Sequence, residues 1–166
     1  AASYERLNCQ VAASGLADLI DVEIFTGDDT VRSILAAAHR ANVPVVASNH
    51  HFHETPIEQT LLNIFKKMDF LGADILKIAV MPTSRRDVIR LLSATENASR
   101  FSRKPIITMS MGGTGLISRL CGEVFGSALT FGAVGKVSAP GQINAEDLRS
   151  VLNLIHQNLP EDTQEK

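Results

Sequence analysis

The most distinctive chemistry in this sequence belongs to a lysine inside an apolar run. Lys77 stands within Ile75–Val80, where the remaining five residues are all apolar. Burial removes water from an amine and favours its neutral form, which can attack a carbonyl carbon and form a Schiff base. The alternative is a lysine on the outer face of a strand, whose aliphatic stem passes a helix and reaches water. Residue types alone leave both interpretations open.

A second candidate for chemistry is His50, which follows the apolar run Val43–Ser48 and precedes His51 and His53. An imidazole exchanges protons near neutral pH, so a histidine here suits general acid/base catalysis. A polar loop with incidental histidines is the more ordinary explanation of the same residues. Zinc ligation is less attractive, because the HHxH pattern at the end of a strand is not a familiar ligand spacing.

The elements that carry these residues alternate between short apolar runs and longer stretches of helical period. This alternation is typical of parallel βα units and indicates an α/β fold. Five strands are predicted, at Leu19–Phe25, Val43–Ser48, Ile75–Val80, Pro105–Met109 and Ala128–Ala133. Six helices are predicted, at Ser3–Ser14, Asp29–Ala41, Ile57–Phe70, Ser84–Arg100, Thr114–Phe125 and Ala145–Gln157.

The predicted helix Ile57–Phe70 is preceded by residues that are typical of a helix start. Thr55 precedes Pro56, and Glu58 follows three residues after Thr55. A threonine N-cap, a proline at the first helical position and a glutamate at the third form a capping box. We therefore expect Thr55 to cap the helix that follows the His50 segment.

Parallel strands joined by helices form either a doubly wound sheet or an eight-stranded barrel. A nucleotide-binding doubly wound fold is expected to carry a glycine-rich phosphate motif after a strand, and Met111–Gly115 matches neither common form. In a barrel, catalytic groups stand at the carboxyl ends of strands, which is where Ser48–His53 and Thr108–Met111 are found. Five units are fewer than a full barrel of about 250 residues requires. Part of a barrel is therefore predicted.

Composition narrows the class of partner. The 166 residues are 45% hydrophobic and carry a net charge of -2, so we expect one domain over residues 1–158 and a polar tail over 159–166. The scattered basic residues and the lack of an apolar run of about 20 residues favour neither nucleic acid nor membrane. Cys9 and Cys121 indicate neither a disulfide framework nor a zinc site, so a cytoplasmic location is expected. A small-molecule substrate fits best.

Six segments of the sequence, in order, share one resemblance. They are Ile20–Asp29, Ser48–His50, Lys77–Ala79, Ile107–Met111, Gly122–Ser127 and Ser138–Gln142. All six resemble type I 3-dehydroquinate dehydratases of the shikimate pathway, and the resemblance extends to about Gln157. It implies a cofactor-free hydro-lyase with a partial (β/α)₈ barrel, the TIM barrel, in which this chain supplies about strands four to eight. It also implies a homodimer.

The resemblance assigns a role to each candidate residue. Lys77 would form an imine with the ketone of 3-dehydroquinate, and His50 would act as general acid/base, removing the C2 proton and later protonating the departing C1 hydroxyl. The product would be 3-dehydroshikimate. Arg119 matches the arginine that holds the substrate carboxylate, while Ser138 and Gln142 match a loop that contacts substrate oxygens. The apolar pocket wall is matched by Met109, Met111 and Phe131, which would otherwise be assigned to the core.

The sequence also departs from the family. About three βα units, with the glutamate that orients the histidine and other substrate-binding groups, have no counterpart here. His51, Leu76 and Gly113 replace the usual aspartate, proline and lysine. We therefore expect weak or absent activity from this chain alone, and association as a homo-oligomer or through open sheet edges. Two alternatives remain: a non-catalytic relative that acts as an interaction or binding protein, and another class I Schiff-base lyase or aldolase.

Overall fold

The computed structural model describes residues 2–160, and its centre is a parallel four-stranded sheet in the order β1-β2-β3-β4. The strands are β1 (Ile20–Glu23), β2 (Val45–His51), β3 (Ile75–Val80) and β4 (Ile106–Ser110). Neighbouring strands are consecutive in the chain, so each connection is a βαβ crossover. The predicted α/β alternation is confirmed. Most of the predicted tail, from residue 161 onward, lies outside the described residues.

Six α-helices accompany the sheet within residues 2–160. They are α1 (Ala2–Ala13), α2 (Asp28–Arg40), α3 (Glu58–Leu71), α4 (Arg85–Phe101), α5 (Leu116–Leu120) and α6 (Ala145–His156). The predicted helix Thr114–Phe125 is wrong in its extent, because it divides into α5 and a 3₁₀ turn over Gly122–Phe125. Within residues 2–160, no helix combines the length and the apolar character needed to cross a bilayer.

The start of α3 differs from the expected capping box. The helix begins at Glu58, and no side chain caps its first turn. The Thr55 hydroxyl instead donates to the carbonyl oxygen of Met81, at 3.0 Å, and so ties the loop after β2 to the end of β3. The capping prediction is therefore wrong, because a long-range contact takes the hydroxyl that the local pattern assigned to the helix.

The predicted fifth strand, Ala128–Ala133, is also wrong. Ser127 forms an isolated parallel bridge with Ile106, and Ala133 forms another with Asn144. The amide of Ala128 still donates to the carbonyl oxygen of Ile106, at 2.7 Å, before the chain leaves β4. Because a strand is defined by its pairing, an apolar run without a sustained neighbour does not form one.

The two faces of the sheet are chemically different. On β3, Leu76 and Ile78 are fully buried and belong to the large core under the helices. The intervening Lys77 and Ala79 point to the opposite face, since successive strand residues alternate. That face carries a much smaller apolar cluster, formed by Ala79, Ile107 and Met109. One face of the sheet thus stabilises the fold, and the other remains open for polar side chains.

Candidate active site

Polar side chains from three neighbouring strands meet on the open face of the sheet. Glu23 on β1 is in register with Ser48 on β2, and Ser48 is in register with Lys77 on β3. Their neighbours two positions away share the same face because strand side chains alternate. The set consists of Asp21, Glu23, Ser48, His50 and Lys77. The regular parallel register therefore brings together residues that are far apart in the sequence.

All eight site residues named from the sequence line one cavity of about 270 Å³. They are His50, Lys77, Met109, Met111, Arg119, Phe131, Ser138 and Gln142. His50 and Lys77 come from the strands, whereas the arginine and the two loop residues come from the segments after β4. The cavity therefore combines a lysine, a histidine and an arginine with an apolar wall.

Lys77 is largely shielded from water, with 13% of its side chain exposed. Its Nζ lies 2.8 Å from Asp21 Oδ2 and 5.3 Å from the centre of the Phe131 ring. The ammonium is therefore held by a carboxylate on one side and by an aromatic face on another. The snorkelling alternative does not describe this geometry, because the amine ends inside the cavity.

His50 is oriented by two neighbours. Its Nδ1 contacts a carboxylate oxygen of Glu23, and its ring stacks on Phe52 with centres 5.6 Å apart and planes at 9°. A carboxylate on Nδ1 fixes the ring orientation and leaves Nε2 for chemistry. The glutamate that the resemblance assigns to this role belongs to the βα units without a counterpart here, and in this chain Glu23 is the carboxylate that contacts His50.

Asp21 and Glu23 are the functional candidates that sequence reasoning missed. Asp21 accepts a hydrogen bond from the fully buried Ser48 hydroxyl and pairs with Lys77 through its other oxygen. The signal was present, since the two carboxylates alternate with the buried Val22 and Ile24. Acidic residues at alternate positions of a short strand point to one face, and here they face Lys77 and His50.

Arg119 is the largest fully buried side chain in the described residues, with 1% exposed. Its Nη1 donates to Met109 Sδ, at 3.6 Å, and its Nη2 to the carbonyl oxygen of Pro140, at 3.2 Å. Its Nε has no hydrogen-bond partner in the described part of the chain. Desolvation lowers the pKa of this guanidinium, although an arginine remains a cation at neutral pH. A buried, incompletely satisfied cation is well suited to bind an anionic group.

Ser138 and Gln142 are joined to each other. Gln142 Oε1 accepts hydrogen bonds from the Ser138 amide and hydroxyl, both at 2.9 Å, and from the Ala139 amide at 3.2 Å. Gly141 has a φ of 77°, and a side chain there would collide with the backbone of Gly112. The loop therefore closes on itself and packs against the exit of β4, which requires glycine at that point.

A second cavity, of about 860 Å³, lies elsewhere, at the amino end of β4. Its basic lining includes Arg100, Arg103 and Lys104, and Arg119 separates it from the smaller cavity. Among the described residues no histidine lines it, and its lysine, Lys104, pairs with Asp69 at the protein surface. The smaller cavity is therefore the candidate active site, because it holds the groups that could do chemistry.

The histidines near the end of β2 do not form a metal site with other ligands. Within residues 2–160, no group of three or more histidine, cysteine, aspartate and glutamate side chains is arranged to hold a metal ion. Burial lowers the pKa of His51, against opposing effects of Glu54 and Glu23.

Comparison with known proteins identifies close relatives of the chain. It is 57% identical over 155 residues to the 3-dehydroquinate dehydratase of Salmonella paratyphi B, which is 93% of this chain and 62% of that protein. The enzyme of Salmonella enteritidis gives the same figures. The chain therefore spans about 62% of the length of these relatives.

Solved structures give the same result for the fold. A type I 3-dehydroquinate dehydratase from Clostridium difficile, solved with covalently modified comenic acid, superposes with a TM-score of 0.91 at 51% identity. It aligns with 95% of this chain and 62% of its own. The 3-dehydroquinate dehydratase of Geobacillus kaustophilus has a TM-score of 0.93 at 42% identity, covering 96% and 62% of the two chains. The expected partial barrel is thereby confirmed, with four strands formed.

The family match covers nearly the whole chain. The type I 3-dehydroquinase family aligns with residues 1–159, which include all three strands that meet at the cavity and the loop that closes it. On this evidence the chain belongs to the type I 3-dehydroquinase family.

Proposed function

We propose that this chain supplies the nucleophile and the proton-transfer histidine of a 3-dehydroquinate dehydratase, a hydro-lyase that converts 3-dehydroquinate to 3-dehydroshikimate. One observation carries the proposal: Lys77 and His50 line the same cavity from neighbouring strands. Schiff-base catalysis needs an amine and a separate acid/base within reach of one bound substrate. Family membership supports this choice over an aldolase that uses the same type of lysine.

The first part of the reaction is formation of the imine. The Lys77 amine attacks the substrate ketone, and water leaves as the carbon–nitrogen double bond forms. The positive charge of the iminium then draws electrons from the adjacent carbon and makes the C2 proton easier to remove. The aromatic face of Phe131, 5.3 Å from Nζ, stabilises that positive charge.

The second part is elimination. His50 removes the C2 proton, the enamine expels the C1 hydroxyl, and the same ring returns its proton to that hydroxyl so that it leaves as water. A single histidine on one side of the substrate supports elimination from one face. Glu23 stabilises the imidazolium that exists between the two proton transfers, because a carboxylate on Nδ1 favours the charged ring.

Substrate binding involves the segments after β4. Arg119 is proposed to bind the substrate carboxylate, and the unpartnered Nε makes it able to accept a new anionic contact. Ser138 and Gln142 are proposed to contact substrate oxygens. The Gln142 amide nitrogen bonds to none of the described residues, so it can donate to the substrate while its oxygen keeps the loop closed. Met109, Met111 and Phe131 are proposed as the apolar wall.

The proposal also covers the cofactor requirement, oligomeric state and location of the complete protein. We propose that the reaction needs no cofactor and that the working form is a cytoplasmic homodimer, as the family resemblance implies. Because the chain spans about 62% of its relatives' length, we expect dehydration by the chain alone to be slow or absent. The single-turnover chemistry of Lys77 is therefore the more direct test.

The test is reductive trapping. The chain is incubated with 3-dehydroquinate and cyanoborohydride, digested, and its lysine-containing peptides are weighed by mass spectrometry. We expect an adduct on Lys77, and its complete loss in Lys77→Ala. Lys136→Ala, which removes an exposed lysine outside the cavity, is the matched control and should trap normally. Absence of a Lys77 adduct, or trapping of an aldol substrate in place of 3-dehydroquinate, would contradict the proposal.

A further inference from the structure

The Asp21 carboxylate touches the nucleophile. Its Oδ2 lies 2.8 Å from Lys77 Nζ, while its Oδ1 accepts a hydrogen bond from the Ser48 hydroxyl. Ser48 is fully buried between β1 and β3, so its hydroxyl holds the carboxylate in one orientation. Of the carboxylates in residues 2–160, Asp21 is the one in contact with the reacting nitrogen. Its position therefore bears on every step that changes the protons on that nitrogen.

Imine formation requires such changes. Lys77 begins as an ammonium with three protons, and the iminium that results keeps one. The other two must reach the ketone oxygen, which leaves as water. A group that contacts the nitrogen and can both accept and release a proton accelerates this transfer. Asp21 meets the geometric condition, because it already forms a hydrogen bond with Nζ.

We infer that Asp21 is a further catalytic residue, which carries both protons from the Lys77 nitrogen to the ketone oxygen; the inference rests on the proposed function. Asp21 accepts the first proton from the ammonium, and the neutral amine attacks the carbonyl carbon to form the carbon–nitrogen bond and an alkoxide. Asp21 protonates the alkoxide. It next accepts the second proton from the nitrogen and donates it to the hydroxyl, which departs as water when the carbon–oxygen bond breaks. Asp21 ends as a carboxylate beside the iminium.

The two carboxylates of β1 contact different residues, which divides the proton transfers between Asp21 and His50. Glu23 contacts His50, and Asp21 contacts Lys77, so each carboxylate of β1 serves a different partner. The His50 ring is further held by stacking on Phe52, 5.6 Å away. The imine steps thus belong to Asp21, and the elimination steps belong to His50.

The Asp21 side chain is 45% exposed, so its carboxyl group can exchange a proton with solvent. The same exposure makes substitution tolerable. An asparagine at this position leaves no buried cavity, and it preserves the size and the hydrogen-bond acceptor that Ser48 contacts. The asparagine cannot carry a proton from Lys77 Nζ to the ketone oxygen. Asp21→Asn therefore removes proton transfer and keeps the position of the side chain.

The experiment measures how fast reduced adducts accumulate on Lys77 in the full chain. Two carbonyl probes are used separately, 3-dehydroquinate and acetaldehyde, with cyanoborohydride and peptide mapping. Asp21→Asn is expected to slow adduct formation at Lys77 by roughly 10²-fold with both probes. Asp18→Asn, an exposed carboxylate just before β1, is the matched control and should equal the wild type. The acetaldehyde adduct on Lys136 in the same samples should not change.

A second measurement distinguishes proton transfer from a structural role. Asp21→Gly is assayed with and without formate, a small carboxylate that can enter the vacated position. We expect formate to raise the rate of adduct formation in Asp21→Gly by at least about tenfold, which is part of the roughly 10²- to 10⁴-fold that general acid–base catalysis contributes. Asp21→Glu, which keeps a carboxyl group, should remain within about tenfold of the wild type. These two variants decide the matter if Asp21→Asn fails to fold.

The outcomes separate this inference from the proposed function. A Lys77 rate in Asp21→Asn within threefold of the wild type, or a slow Asp21→Gly that ignores formate, overturns the role of Asp21. Trapping of acetaldehyde but not of 3-dehydroquinate, with the same dependence on Asp21, overturns the proposed function and leaves the Asp21 role intact. Trapping of neither probe at Lys77 in the wild type overturns both.

Discussion

Two regions of the molecule build the candidate site in different ways. The strand region comprises Asp21, Glu23, Ser48, His50 and Lys77, whose positions follow from the register of β1, β2 and β3. The loop region comprises Arg119, Ser138 and Gln142, which come after β4 in short helices and turns. In the strand region, backbone pairing places the side chains. In the loop region, side chains and glycines place the backbone.

Under the proposed function, this difference separates the chemical steps from substrate recognition. Proton transfer and imine formation need reacting atoms held within hydrogen-bond distance of one another, and paired strands provide that stability. Binding of a carboxylate and hydroxyls needs a surface that closes over the substrate, which loops provide. Substitutions in the strand region should therefore affect the chemical steps, and substitutions in the loop region should affect substrate binding.

The largest effect in this comparison is expected from Glu23→Gln in the strand region. Without a carboxylate on Nδ1, the imidazolium form of His50 loses its stabilisation, so removal of the C2 proton slows by about 10²-fold. Trapped adducts of 3-dehydroquinate and of its dehydrated product differ in mass by one water. We expect the dehydrated adduct on Lys77 to accumulate more slowly, while total trapping stays within a few-fold of the wild type.

A Glu23→Gln chain that dehydrates the trapped substrate at the wild-type rate would contradict the orienting role of Glu23. Glu54→Gln is the matched control, because Glu54 follows β2, the strand that carries His50, and does not contact the His50 ring.

A smaller effect is expected from Gly141→Ala in the loop region. The φ of 77° disfavours a side chain, and an added methyl group would collide with the backbone of Gly112. We expect the concentration of 3-dehydroquinate that gives half-maximal trapping to rise by roughly tenfold, which corresponds to about 1.4 kcal/mol. The rate with acetaldehyde should not change, because that probe needs no recognition of a carboxylate.

Gly135→Ala provides the control for backbone strain. Gly135 has a φ of 76° but open space around its Cβ position, so the strain is similar and the collision is absent. Equal effects of the two substitutions on half-maximal trapping would show that packing of the loop against Gly112 does not determine binding.

The smallest effect is expected from Ser84→Ala, which lies outside both regions. The Ser84 hydroxyl accepts from the Asp87 amide in the capping box of α4. Its loss should lower the free energy of unfolding by about 1 kcal/mol, measured by urea denaturation. Trapping at Lys77 should not change under native conditions. Any loss of trapping would mean that general destabilisation, and not the strand and loop geometry, accounts for the effects above.

The sequence by itself determined the α/β alternation and singled out Lys77 and His50 as the candidates for the nucleophile and the proton-transfer group. Apolar runs at strand spacing are set by burial against helices, so Ile75–Val80 could be located to the residue. A charged lysine is unusual in an apolar run because burial removes its hydration, and this made Lys77 a candidate functional residue. The same alternation could have identified Asp21 and Glu23, because they alternate with Val22 and Ile24, which are apolar and point to the buried face.

Only the tertiary structure decided which neighbours these residues meet. The carboxylate contacts of Lys77 and His50 join β1 to strands that follow it by tens of residues, and no local pattern specifies such pairs. The failure of 128–133 to form a strand has the same cause, since pairing depends on a neighbouring strand. Burial of Arg119 between two cavities likewise arises from packing. Local sequence sets which way a side chain points, whereas long-range packing sets what it touches.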